Sequence, residues 1–274
     1  MSPFPSFTAS FHWRRAQAVF SKDWTELLKN KALLLSMMVL PLVLVVVPTG
    51  MVWAYAHTTD DASLRQMALF YEPNFPAHEN AALFLARRAL MDWFGLFLLM
   101  PVFVPILISS QSVAGEKERR TLEPLLASPV TAVELVVGKS LASLVPAVAL
   151  CWVAFLLLCV SVNFAGRAFG AGWLLPDSMW VFGVGVIAPL FAFFGNGVAV
   201  LVSARVMDAR LAQQLSGVVV LPLLALVGAQ LTGVLRAGPA YYATQGAVVL
   251  VMDVLLLAAA VPLFDRDRLV SRWG

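Results

Sequence analysis

Three histidines, two cysteines, a Gly-Lys-Ser triplet and one carboxylate inside an apolar run are the groups in this 274-residue sequence from which chemistry could be built. His12, His57 and His78 fall outside the long apolar runs, so no embedded imidazole is on hand for a metal or for the base of an intramembrane hydrolase. Cys151 and Cys159 share one apolar run without metal-ligand spacing and read as small packing residues. Gly138–Lys139–Ser140 imitates the end of a phosphate-binding loop. That motif needs a glycine five positions earlier, where Val133 stands, and a strand before it, where the pattern here is helical. The chain is therefore expected to bind no nucleotide and no metal itself, and not to be an enzyme.

Asp253 is the one charged residue deep in a predicted membrane span. A carboxylate there costs roughly 2.5–3.5 kcal/mol on insertion scales and is a functional candidate by default. It could bind a cation, carry a proton or hold a substrate group. Alternatively it is a carboxyl hydrogen-bonded to a neighbouring helix, with Asn196 or Gln230 as partner. Gly195–Asn196–Gly197, with Gly183 and Gly185, permits close helix approach in the fourth span.

The remaining chemistry is recognition. Residues 115–139, GEKERRTLEPLLASPVTAVELVVGK, form a short charged insert between two long apolar runs. Thr121 can cap a short helix that tolerates Pro124 in its first turn. Leu122, Leu125 and Leu126 then share one face, flanked by Glu116, Glu118 and Glu123 and by Lys117, Arg119 and Arg120. Ser128–Pro129 stops that helix. Thr131-x-x-Glu134 is a capping box opening the next one, and Lys139 falls where a lysine would snorkel to the interface. An apolar ridge framed by both charge signs suits docking into a groove on another protein. It also fits a solvated loop whose salt bridges are each worth about 0–1 kcal/mol.

What positions these groups is a membrane bundle. The chain is 60% hydrophobic and 13% charged, with mean hydropathy +0.83, against about 45–50% and 25% in soluble domains. Six runs are long enough to cross a bilayer: Ala32–Ala56, Phe94–Ala114, Ser140–Phe164, Met179–Ser203, Leu215–Leu235 and Tyr242–Phe264. Backbone amides in lipid must be satisfied within the segment, so the expected fold is all-α, a polytopic bundle of six transmembrane helices. Fourteen lysines and arginines fall in the inner segments and five in the outer ones when the N-terminus is placed inside, which makes both termini cytoplasmic. The net charge of +3 is spread over span ends as topology anchors and does not indicate nucleic-acid binding.

Residues 1–31 form a cytoplasmic segment before the six-span block 32–264, and 265–274 form a short cytoplasmic tail. Within the first segment Trp13, Ala16, Phe20, Trp24 and Leu28 make one apolar stripe beside basic residues, the pattern of an interfacial helix. Such a helix is either an anchor or also a contact for a cytoplasmic partner. Residues 57–93 are the one sizeable outer segment, broken by Pro73 and Pro76 and turning helical from Asn80 to Trp93. Proline occurs in every predicted span, which is compatible with kinked, movable helices.

The pattern E-K-E-R-R-T-L-E-x-L-L-x-x-P, followed by an acidic residue and Gly-Lys, resembles the signature of ATP-binding-cassette (ABC) type-2 permeases. It is carried by Glu116, Glu118, Thr121, Leu122, Glu123, Leu125, Leu126, Pro129, Glu134, Gly138 and Lys139. Many relatives have Gly-Thr where this chain has Arg120–Thr121, a departure that blurs the subfamily more than the class. The six runs, the amphipathic start and the larger first outer segment extend the likeness over most of the chain.

The resemblance implies the membrane subunit of an ATP-driven exporter in the cytoplasmic (inner) membrane. Residues 116–129 would be the coupling helix that contacts a separate ABC ATPase subunit, braced by the N-terminal helix. ATP and Mg would be bound by that partner and not by this chain, and two permease copies, identical or pseudo-symmetric, would pair with two ATPases. Two other functions stay open on sequence: an ion- or proton-coupled secondary transporter built on Asp253, and a non-transporting mechanical transmitter or immunity protein driven by the same kind of ATPase.

Overall fold

A computed structural model describes residues 11–118, 130–170, 172–232, 235 and 238–260. Among them the chain forms helices α1 (Trp13–Lys29), α2 (Lys31–His57), α3 (Asp61–Tyr71), α4 (Ala81–Glu118) and α5 (Ala132–Ala165). There follow α6 (Ser178–Phe182), a π-helical turn (Gly183–Ile187), α7 (Ala188–Ser203), α8 (Ala209–Leu231) and α9 (Pro239–Ala260). No strand occurs among the described residues.

Six helical segments are long and apolar enough to cross a membrane: Lys31–His57, Ala81–Gln111, Val133–Phe169, Ser178–Ser203, Ala209–Leu231 and Pro239–Ala259. Their burial separates centre from rim. Two-thirds of the apolar window (67%) is buried in α4 and in the α6–α7 segment, against 22% in α2 and 28% in α8 and α9. The last three helices leave rows of Leu, Val and Met exposed, as a lipid-facing surface requires. Helix α1 lies at one end of the bundle, the α1 end, and α3 at the other, the α3 end.

Sequence details account for the junctions. The Asn30 side chain accepts from the Leu33 amide and so caps α2 directly after α1 ends. Asp60 caps α3, accepting from the amides of Ala62 and Ser63. Pro73 and Pro76 break the chain only after this helix has ended at Tyr71, and Asp60 is the residue in the sequence that marks its start. Leu64 and Ala68 of α3 close over Phe75, Ala81 and Leu85, so the first part of α4 is covered by α3 before α4 enters the bundle. Between α5 and α6, the Asn163 side chain accepts from the amides of Leu174 and Leu175 and donates to the carbonyls of Cys159 and Leu175, tying the connection down.

Two contacts fix the centre. A Cβ on Gly195 would stand 2.2 Å from the Val102 carbonyl oxygen, so α7 and α4 meet backbone to backbone at a position where only glycine fits. Towards the α3 end, aromatic rings join four elements: Phe94 lies 4.8 Å from Trp180 and 4.5 Å from Tyr242, and Phe155 stacks on Trp180 at 5.8 Å. The π turn follows from Pro189, which has no amide to give to the carbonyl four residues back. Trp152 Nε1 donates to the Val184 carbonyl at 3.2 Å, satisfying one turn oxygen from α5.

Candidate functional site

At the α1 end, α1 is laid along the first two turns of α5, and the contact is built rung by rung. Thr131 caps α5 and Glu134 completes the capping box: the Glu134 amide donates to Thr131 Oγ1 at 3.3 Å and the Thr131 amide to Glu134 Oε2 at 2.8 Å. The second oxygen of Glu134 accepts from the His12 backbone amide at 2.7 Å, and Arg15 Nη1 stands 3.8 Å from the carboxylate. One fully buried carboxylate thus caps the start of two helices at once.

One turn on, Gly138 is the seat. A Cβ there would be 2.6 Å from the Ala16 carbonyl oxygen and 2.7 Å from Val19 Cβ. The next rung is ionic, with Lys139 Nζ 3.3 Å from Asp23 Oδ2 and both side chains buried. Lys139 was expected to snorkel to the interface. It points instead into the α1–α5 contact because a carboxylate meets it there. The last rung is apolar: Leu27 joins Met37, Val104, Ile108, Leu144 and Ala147, which ties the end of α1 into α2, α4 and α5.

The buried face of α1 is therefore Ala16, Val19, Asp23 and Leu27. Phe20 and Trp24, with rings 5.7 Å apart, and the exposed Trp13 and Leu28 sit about a quarter turn to one side. The expected stripe and the docked face are therefore adjacent, and Trp24 packs partly against the Leu27 cluster. Ala16 belongs to the docked face, while Phe20 and Trp24 flank it half-buried and Trp13 and Leu28 are exposed. Sequence reading overlooked Asp23, although its spacing from Ala16, Val19 and Leu27 places a carboxylate on an otherwise apolar face.

Glu116 and Glu118 lie in the last turn of α4. Thr121, Leu122, Glu123, Leu125, Leu126 and Pro129 lie outside the described residues. What is described is their frame: α4 leads in, and α5, with α1 fastened to it, leads out.

The three intramembrane polar residues do not form one site. Asn196 is a hub near the α1 end: Ser109 of α4 and Ser143 of α5 donate to its Oδ1 at 2.8 and 2.7 Å, and its Nδ2 donates to Ser140 Oγ at 3.0 Å. Gln230 is fully buried near the α3 end and donates to the Met91 carbonyl at 3.3 Å. Asp253 has neither as partner. Both its oxygens are buried without a hydrogen bond among the described residues. The expected hydrogen bond fails because Asn196 already holds three serines and Gln230 sits at the far end of the bundle.

Near Gln230, Arg88 and Asp92 pair along α4 at 3.0 Å. Asp92 Oδ1 lacks ideal hydrogen-bond angles to the guanidinium, but at this distance the charges compensate each other. Among the described residues no group of three or more His, Cys, Asp or Glu is placed to hold a metal ion.

The family model described as ABC-2 family transporter protein matches residues 17–267, nearly the whole chain. No curated protein matches it.

Proposed function

This chain belongs to the ABC-2 transporter family, and from that membership we propose that it is the membrane subunit of an ATP-driven exporter. A separate ATPase subunit binds ATP and Mg and presses on residues 116–129. The α1 end is cytoplasmic, in keeping with the bias of lysine and arginine towards that side. Two permease copies pair with two ATPases in the cytoplasmic membrane, and ATP binding rocks the helices.

The observation that carries this reading is the clamp of α1 on α5. A force applied at 116–129 enters the bundle through α4, one of its two most buried spans, and through the start of α5. Close-packed interiors pass displacement on as rigid-body movement instead of absorbing it. Because Glu134, Gly138 and Lys139 all hold α1, that helix moves with α5, and α5 is broadened into a two-helix lever. A loop that merely joined two spans would need neither a shared cap nor a buried ion pair beside it.

The test is reconstitution of the full-length protein with the ATPase encoded beside it. A stable complex that Leu122→Glu with Leu125→Glu abolishes, while the permease still elutes as a folded species, is the expected result. Absence of any complex with the unaltered chain would overturn the reading.

A further inference from the structure

Helix α3 is covered on one side only. Leu64 and Ala68 close over Phe75, Ala81 and Leu85, and the Arg65 guanidinium donates to the Ala77 carbonyl, so the helix is held against the start of α4 at one roll angle. Successive residues advance about 100° around a helix, which divides the remaining positions into two sectors. Met67, Phe70 and Tyr71, at i, i+3 and i+4, form an apolar sector on one side of the packed pair. Ala62, Arg65 and Leu69 lie on the other side, and the cap residue Asp60 is exposed. Phe70 is 84% exposed, more than any other large apolar side chain among the described residues, and Met67 and Tyr71 are each nearly half exposed.

The place of α3 in the bundle selects what covers that sector. Only residues 58–60 separate it from α2, a reach of no more than about 14 Å. The Tyr55 hydroxyl, in the last turn of α2, stands 4.0 Å from Met67 Sδ. Because α2 is the least buried span, α3 starts at the lipid-ringed rim of the bundle. With 27 residues α2 is about 40 Å long and exceeds a hydrocarbon core of about 30 Å, so its last turn lies in the interfacial layer. Trp53, exposed and stacked on His57 at 4.7 Å, is a side chain of the kind that gathers there. On α4, Arg87 and Arg88 follow directly after the residues that α3 covers, and basic side chains mark the same layer.

A second copy of the chain fits this sector poorly. A helix of 11 residues is about 16 Å long, and three side chains fall well short of the roughly 800 Å² that a specific interface takes from each partner. Nor does charge draw the helix to its partner, since Asp60 and Asp61 outnumber Arg65 and leave no basic excess.

We propose that Met67, Phe70 and Tyr71 insert into the bilayer leaflet at the α3 end, which makes α3 an interfacial helix that anchors the start of α4 to lipid. Its other sector faces water. The Arg88 guanidinium lies 5.4 Å from the Tyr71 ring and ties the inserted sector to α4. One continuous helix, α4, thus runs from this anchor to Glu118 at the opposite end of the bundle. The lipid contact does not rest on the exporter reading, because it needs no ATPase.

The experiment uses the full-length protein, with Cys151 and Cys159 replaced by alanine, in vesicles of phosphatidylcholine. Nitroxide labels at Met67→Cys, Leu69→Cys and Phe70→Cys, one at a time, report collisions with oxygen, which partitions into lipid, and with a nickel chelate, which stays in water. The ratio of oxygen to nickel collisions should be several-fold higher at 67 and 70 than at 69, although Leu69 is as apolar as its neighbours. Equal ratios at 69 and 70, or low rates of both reagents at 67 and 70 as under a second copy, would overturn the proposal. Insertion that appears only when phosphatidylglycerol is added would overturn it too, because charge and not the apolar sector would then drive it.

A second measurement keeps the native cysteines. In nanodiscs, hydrogen exchange over 61–71 should be several-fold faster in Phe70→Gln and unchanged in Leu69→Gln. Phe70 touches little of its own chain, and glutamine is the better helix former, so a loss of protection reports the bilayer. Unchanged protection in Phe70→Gln would sink the anchor and leave the coupling reading standing.

Discussion

Lys139 on α5 and Asp23 on α1 form an ion pair of 3.3 Å in which both side chains are buried. It joins a helix outside the expected spans to the first turns of a helix inside them. Desolvating two charges offsets much of their attraction, so such a pair contributes more to specificity of docking than to stability. Removing one member is another matter. Asp23→Ala should cost roughly 3–5 kcal/mol of α1 docking. Lys139 is long enough to reach water once α1 lifts, so the loss should appear as detachment of α1 and not as collapse of the bundle. Hydrogen exchange over 13–29 would show faster opening in Asp23→Ala, and the double replacement Asp23→Leu with Lys139→Met should recover most of the protection.

Gly138 tests the same contact sterically. Alanine there places a Cβ 2.6 Å from the Ala16 carbonyl oxygen, which belongs to backbone and cannot swing aside. Overpacking of this kind costs about 1–3 kcal/mol, partly offset by up to about 1 kcal/mol of helix propensity. Gly138→Ala should therefore weaken α1 docking, whereas Gly217→Ala, with nothing within 4 Å of the new Cβ, should be neutral or stabilising. A disulfide engineered between α1 and α5 would form more slowly in the first variant and at the ordinary rate in the second.

The spans were legible because apolar length is decided locally. The run expected at Ala32–Ala56 is the helix Lys31–His57, and that at Met179–Ser203 is the apolar segment Ser178–Ser203. Pairings were not legible, because a single sequence shows which residues share a helix face and not which face of another helix meets it. Lys139 reads as an interfacial lysine until Asp23 is seen across from it. Asn196 or Gln230 reads as a partner for Asp253 until the structure gives Asn196 to three serines and places Gln230 at the α3 end. Glu134 was legible as a cap for its own helix. Its second role, holding the His12 amide 122 residues away in sequence, is a tertiary fact.

Gly195 carries a larger stake than Gly138. It lies where α7 crosses α4, and a Cβ would be 2.2 Å from the Val102 carbonyl oxygen and 3.0 Å from Val102 Cα. Both helices belong to the most buried pair of spans, so neither can retreat into lipid. Gly195→Ala should lower the unfolding midpoint in detergent well below that of Gly138→Ala, and it should do so without altering α1 protection selectively.

Asn196 separates polarity from charge at the junction of α4, α5 and α7. Asn196→Leu removes the acceptor of Ser109 and Ser143 and the donor to Ser140. Interhelical hydrogen bonds in membranes average about 0.6 kcal/mol and reach about 1.7. Serine hydroxyls can also fall back on carbonyls of their own helix, as Ser143 Oγ already does with the Ser140 oxygen at 2.9 Å. The leucine variant should therefore lose only about 1–2 kcal/mol. Asn196→Asp keeps the acceptor oxygen and the shape but introduces a buried charge, which costs up to about 2.5–3.5 kcal/mol, the figure for the centre of a span. The variant closer in structure should thus be the less stable one at neutral pH. Unfolding by graded SDS would rank the two, and the opposite order would mean that the serine network holds the junction more tightly than hydrogen bonds of this kind ordinarily do.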